Sequence, residues 1–178
     1  MSFQATLLSW HDFYIIVGTA AASLVGLLFV GLSLHLRMVV THKDVQALAR
    51  ATFSTLGLTL VLALFMVAPE TRASDLGEEL IGLGVVASLL VVPSIAIGVR
   101  SRERTISYRR LLLRFGITSL TCLGVIATGG LLLAGDVSDA LGWLLAVSVF
   151  LIITSLRNSW DLLVSVGAAT IAGSAKAP

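Results

Sequence analysis

Few side chains in this 178-residue chain are equipped for chemistry. Arg157, Asn158 and Asp161 lie close together near the C-terminal end. Arg157 and Asp161 are four residues apart, a helical spacing at which a guanidinium can meet a carboxylate, although Arg-before-Asp is the less favourable order. Two uses are open: an interfacial anchor whose Arg snorkels to headgroups, or a polar cluster facing a bundle with Asp161 balanced by Arg157 or Arg114. Hydroxyls also recur at helical spacing, as Thr52, Thr55 and Thr59, as Thr118, Thr121 and Thr128, and as Ser148, Ser155 and Ser159. Such stripes either bond back to their own helix and across to neighbours, or line a path on which hydroxyls replace the hydration of a solute. His35 and His42 are seven apart with a loop between, and His11 with Asp12 falls at the opposite end of the first span, so His35 reads first as a hydrogen-bonded helix-end residue. No metal site and no cofactor are expected. The single Cys122 excludes an intrachain disulfide and a multi-cysteine metal site. HExxH, GxSxG, a phosphate-binding glycine loop and a His/Cys cluster are all missing, so no catalytic residues are predicted and an enzyme is not expected.

The elements that must position these groups follow from composition. Hydrophobic residues make up 57% of the chain and charged ones 12%, against about 25% charged in an ordinary soluble domain. Too few charges remain to clothe a water-soluble globule. A hydrocarbon core of about 30 Å takes roughly 20 apolar residues as a helix, and five stretches qualify: 13–34, 48–68, 80–99, 111–134 and 141–163. They are apolar around their whole circumference and lack the alternation of a transmembrane barrel. The predicted fold is all-α, a single-domain polytopic bundle of five transmembrane helices. Ser9 with Asp12, Thr41 with Asp44, and Asp75 with Glu78 resemble capping boxes and are expected to open helices one to three, with Ser138 opening the fifth. Pro69 is expected to end the second helix and Pro93 to interrupt the third, either as a tolerated kink or as a break exposing carbonyls to an ion. Residues 167–178 are expected to fray. Gly18, Ala22 and Gly26 repeat at spacing four, as do Gly84 with Ser88 and Ser94 with Gly98, a pattern that lets helices approach closely within one chain or between subunits.

Charge sets the predicted orientation. Arg37, Lys43, Arg50, Arg100, Arg102, Arg104, Arg109, Arg110, Arg114, Arg157 and Lys176 all fall on one side of a five-span threading, and Arg72 alone on the other, among Asp12, Glu70, Asp75, Glu78, Glu79, Asp136 and Asp139. The positive-inside rule then puts the N-terminus outside and the C-terminus in the cytoplasm. Residues 1–12 carry no Lys or Arg, so the first span is expected to be retained rather than cleaved. The basic stretch 100–110 suits anionic lipid of the inner leaflet; nucleic acid is not expected, because topology accounts for the charges and aromatic stacking partners are scarce.

The segment WHDFYIIVGTAAASLVGLLFVGLSLHL, residues 10–36, and the segment LRNSWDLLVSV, residues 156–166, resemble the two ends of a family of small bacterial integral membrane proteins, some of which carry a loose label as modulators of the FtsH membrane protease. The resemblance implies a bacterial cytoplasmic membrane and no reaction. It singles out His35 and the group Arg157, Asn158, Trp160 and Asp161, which those segments contain. Two roles are expected. One is a small homo-oligomeric channel or facilitator for an ion or small solute, its path along the hydroxyl faces with Arg114, Arg157 and Asp161 at the cytoplasmic mouth. The other is a non-transporting accessory or regulatory subunit bound to another membrane protein or protease.

Overall fold

The computed structural model describes residues 3–41, 43–68, 72–100 and 108–174. They form five long helices and one short one: α1 (Phe3–Ser33), α2 (Leu36–Thr41), α3 (Lys43–Val67), α4 (Ala73–Arg100), α5 (Tyr108–Ala134) and α6 (Val137–Ser174). Segments Phe3–Ser33, Leu48–Val67, Gly116–Ala134 and Val137–Val164 are each long and apolar enough to cross a membrane. The chain is therefore an all-helical, multi-pass membrane protein.

The helices outrun their apolar windows, which corrects several expected boundaries. α1 begins ten residues before 13, so Ser9 lies inside it and donates its Oγ proton to the Thr6 carbonyl at 2.6 Å. The reason is tertiary: Leu7 is buried in the main core, and that contact recruits the preceding residues into the helix. α3 opens at Lys43, just after Thr41, rather than at 48. α4 opens at Ala73 rather than at 80, with Asp75 in its first turn, where a negative charge complements the helix dipole. α6 runs on to Ser174 through the stretch expected to fray, because its Ala-rich run 167–174 holds no helix breaker beyond isolated Gly. α3 stops at Val67, just before Pro69; Pro69 and His42 lie outside the described residues, as do 101–107 of the basic stretch.

The turn between α5 and α6 is built from two residues. Gly135 takes φ +90°, a conformation that costs a residue with Cβ. Its N–H donates to the Leu132 carbonyl at 3.2 Å, and the Asp136 N–H donates to Leu131 at 3.1 Å. This pair is a Schellman motif and satisfies the closing carbonyls of α5. Asp136 at once opens α6, its carbonyl accepting from the Ala140 N–H at 3.0 Å. Asp136, not Ser138, therefore occupies the cap position, because the tight turn leaves no residue between the Schellman glycine and the new helix.

Helices α3, α4, α5 and α6 form a ring in chain order, α6 closing back on α3, while α1 lies against α3 and α6. The tightest seam is α4 against α5. A Cβ on Gly129 would stand 2.6 Å from the Gly77 carbonyl oxygen, and one on Gly84 would stand 2.5 Å from Ile126 Cγ1 and 3.1 Å from the Cys122 carbonyl oxygen. In lipid, where apolar helices gain little by leaving one solvent for another, such backbone proximity is what dispersion can reward. Large apolar side chains cover the outside, among them Leu8, Ile16, Leu27, Phe29, Leu89 and Leu120. A surface of that kind is suited to acyl chains, not to water.

Candidate functional site

The interior has two chemistries. Toward the α5–α6 turn the ring is filled by Leu62 and Met66 of α3, Leu76 and Leu80 of α4, Val125 and Leu132 of α5, and Leu141 and Leu144 of α6, all buried in one cluster. Farther along the axis the core turns polar. The Ser, Thr and Asn side chains described as buried belong to α3, α5 and α6: Thr52, Thr55 and Thr59, then Thr118, Thr121 and Thr128, then Ser148, Thr154, Ser155, Asn158 and Ser159. At about 1.5 Å per residue, Thr59 to Thr52 lie roughly 12 to 22 Å from the α3 end, and Ser148 to Ser159 roughly 16 to 33 Å from the start of α6. Leucines thus fill the end at the α5–α6 turn, where Thr128 is also buried about 9 Å from the end of α5, and the other buried hydroxyls lie from the middle toward the far end beside buried Leu56 and Leu162.

The hydroxyl protons are mostly committed. Thr52 donates to the Leu48 carbonyl at 2.8 Å, Thr55 to Thr52 at 2.9 Å, and Thr59 to Thr55 at 2.9 Å. Thr121 donates to Thr118 at 2.7 Å, Thr128 to Gly124 at 2.8 Å, Ser148 to Leu144 at 2.7 Å, and Ser159 to Ser155 at 2.8 Å. Each bond runs back one turn within the same helix, the usual local alternative for these side chains. A hydroxyl that donates this way still keeps lone pairs. What the seven back-bonded hydroxyls offer inward is therefore acceptors, while Asn158 and Ser155 add donors to the same core. Ser155 is fully buried and its Oγ has no hydrogen-bond partner. The Tyr14 hydroxyl reaches toward Ser148 from α1, without completing a hydrogen bond of ordinary geometry.

The residues singled out by the sequence separate into distinct settings. Thr118, Thr121, Thr128 and Asn158 are in the buried core, and Asp161 is half-buried on α6 beside buried Leu162. Arg157 is exposed on the same helix as Asp161, and within α1 His11 Nδ1 lies 3.5 Å from Asp12 Oδ1. Arg114 stands in the second turn of α5, and Pro93 within α4. His35 occupies the break between α1 and α2, where its Nδ1 lies 3.2 Å from the Gly31 carbonyl oxygen. Gly31 itself is pressed by α6: an added Cβ there would come within 2.7 Å of Leu163 Cδ2. The Gly18, Ala22 and Gly26 row divides. Gly18 faces α3, a Cβ there lying 3.2 Å from Ala63 Cβ, whereas Ala22 and Gly26 are exposed and nothing lies within 4 Å of a Cβ on Gly26.

Two features were hidden from sequence reasoning. Charge counting leaves Glu79 in a loop, yet it stands in the second turn of α4, half-buried, with Oε2 sealed from solvent. The available signal is its spacing of three from Leu76, which puts both on one helix face. The other is the pairing of Gly77 with Gly129, which no four-residue spacing announces, since its partner glycines lie on different helices. No cluster of His, Cys, Asp and Glu able to hold a metal occurs among the described residues. Comparisons with protein-family models, with curated proteins and with solved structures find no match to this chain.

Proposed function

We propose that this chain is a five-span protein of the bacterial cytoplasmic membrane, N-terminus outside and C-terminus inside, acting as a small oligomeric facilitator for a cation or a hydrogen-bond-donating solute. α4, at 28 residues, supplies the fifth span. The basic excess at the α4–α5 end supports the orientation, and the likeness of residues 10–36 and 156–166 to bacterial membrane proteins supports the compartment. One observation carries the choice of solute: seven buried hydroxyls donate their protons to their own helices and retain only lone pairs to offer. Acceptor arrays replace the hydration of cations and donors and give nothing to anions. In this arrangement the Leu62, Leu76, Leu80 and Leu144 layer acts as the closed gate. The basic stretch 100–110 lies against anionic inner-leaflet lipid.

Purified protein in liposomes tests the reading by fluxes of sodium, potassium and methylammonium against chloride. Cation flux that falls at least severalfold in the Thr52→Val, Thr55→Val double variant is expected. Absence of flux over a range of pH and voltage, or a preference for chloride, refutes it. The hydroxyl bonds also favour a second reading, because a core satisfied from within needs no water. In that case the chain is an accessory subunit of another membrane protein, and a stoichiometric membrane partner retained through detergent purification, with silent liposomes, is the expected outcome.

A further inference from the structure

A groove of about 750 Å³ runs along the outside of the bundle between α5 and α6, with Thr121 and Thr128 of the hydroxyl set in its otherwise largely apolar lining. Its walls include Leu123, Ala127, Gly130, Trp143, Ala146 and Phe150. Small residues open it: a Cβ on Gly130 would meet nothing within 4 Å. From Leu120 to Gly130 the groove is about 15 Å long by helix rise, half of a hydrocarbon core of about 30 Å and hence the depth of one leaflet. At the α5–α6 turn it meets a second hollow of about 440 Å³, walled by Ser138, Asp139 and Gly142 and sharing Trp143 and Ala146 with the first. Trp143 is 63% exposed at this junction, the position of an interfacial anchor. An apolar channel one leaflet deep thus ends in a polar mouth at headgroup level.

The mouth is acidic. Asp136 and Asp139 are exposed beside it, and Asp75 and Glu78 are exposed on the first turns of α4 at the same end, where Arg72 is the one Lys or Arg among the described residues. An anionic headgroup is repelled there. A second copy docked through the same face about a two-fold axis would set Asp139 of each copy against like charge. A primary ammonium group instead meets opposite charge while its acyl chain fills the groove. The geometry points to a binding site for a phospholipid with an ammonium headgroup, one acyl chain between α5 and α6 and its amine at Asp139.

The test is headgroup-selective quenching of Trp143. The Trp10→Phe, Trp160→Phe protein, which keeps Trp143 as its only tryptophan, is placed in nanodiscs containing a small fraction of acyl-brominated phosphatidylethanolamine, phosphatidylcholine or phosphatidylglycerol. Half-maximal quenching by the ethanolamine lipid is expected at a mole fraction at least threefold below that of the glycerol lipid. Asp139→Asn abolishes that preference, and Gly130→Leu, whose side chain occupies the empty groove, removes the high-affinity phase. The headgroup comparison needs no groove variant, so a poorly folded Gly130→Leu does not protect the idea. Equal quenching by the three lipids overturns it, as does a preference for the glycerol lipid or the choline lipid. So does efficient disulfide formation between Gly130→Cys copies on the Cys122→Ser background, which would assign the groove to a neighbouring subunit.

Discussion

Adjacent glycines on α5 provide an internal control for the packing argument. A Cβ on Gly129 would approach the Gly77 carbonyl oxygen at 2.6 Å and the Ile81 nitrogen at 3.1 Å, both backbone atoms that cannot rotate away. A Cβ on Gly130 would meet nothing within 4 Å. Gly→Ala raises intrinsic helix stability by about 0.8–1 kcal/mol at either position. Only Gly129→Ala also forces α4 and α5 apart, and overpacking of this kind costs about 1–3 kcal/mol. Subtracting one variant from the other cancels the propensity and leaves the packing cost, so Gly129→Ala should be less stable than Gly130→Ala by about 1–3 kcal/mol. That gap is roughly a five- to 150-fold difference in the unfolding constant. Cys122 is a built-in reporter, since it is buried on the same seam with its carbonyl 3.1 Å from where a Gly84 Cβ would stand. Maleimide labelling of Cys122 in mild detergent, titrated with a denaturing detergent, reads the opening of α4 from α5. Equal midpoints for the two variants, or a less stable Gly130→Ala, would refute the claim that backbone proximity holds this seam.

Four other outcomes are expected. Thr55→Val and Thr59→Val should each change stability by no more than about 1 kcal/mol, the net of one hydrogen bond, because the carbonyls they leave keep their helical N–H bonds; the same denaturation assay checks this, and with it separates lost flux from lost fold. Gly135→Ala should destabilise by about 1–2 kcal/mol, the cost of a Cβ in a left-handed conformation, with the loss confined to the α5–α6 hairpin in hydrogen exchange. Leu144→Ala should cost about 1–3 kcal/mol, below the 2–5 typical of water-solvated cores, since lipid supplies no transfer term and only the cavity remains; if the leucine layer is the gate, the variant also raises cation flux in liposomes. Finally, with Cys122 replaced by Ser, Ser2→Cys and Ala177→Cys should react with an impermeant maleimide from opposite faces of the membrane, and labelling of both from one face would contradict an odd number of spans.

What the sequence made legible was solvent. Continuous apolar runs are a statement about lipid, and four of them reappear as helices able to cross it. Helix ends were less legible because the run measures the hydrocarbon, whereas the helix is extended by whatever it packs on beyond that slab; Leu7 carries α1 to Phe3 in this way. Cap motifs misled for a related reason. Ser9 and Ser138 have the right chemistry for a helix start, but the hydroxyl can equally bond back one turn, as Ser9 does, and neighbouring contacts decide. Among the functional candidates, hydroxyl stripes were visible as spacing, and Thr52, Thr55, Thr59, Thr121 and Ser148 are indeed buried. Contacts between helices were not visible, because Gly77 meets Gly129 across more than fifty residues of chain and nothing local marks the encounter.

The division of the core gives the facilitator reading its physical logic. Burying a polar group in lipid without a partner is expensive, so a helix bundle under selection only for packing can fill its centre with leucine, as this one does near the α5–α6 turn. Toward the other end the same ring uses Thr, Ser and Asn at ten buried positions on α3, α5 and α6, with α6 packed against both of the others. Back-bonding makes seven of the buried hydroxyls tolerable, since their protons have a carbonyl within their own helix, but tolerance does not explain why most of the hydroxyls lie from the middle of the bundle toward one end. Dispersion between helices is served at least as well by Ala or Val at the same sites. A function that needs oxygen lone pairs at depth explains the gathering, and it also explains why the donors are spent locally: a hydroxyl whose proton is already held by its helix turns its lone pairs inward. Ser155, buried with its own proton uncommitted, then becomes the informative exception. Ser155→Ala removes one oxygen from the array and no existing bond, so it should lower cation flux while leaving the denaturation midpoint unchanged or slightly raised. A clear loss of stability in Ser155→Ala would instead make the hydroxyl array a packing device and remove the argument for a path.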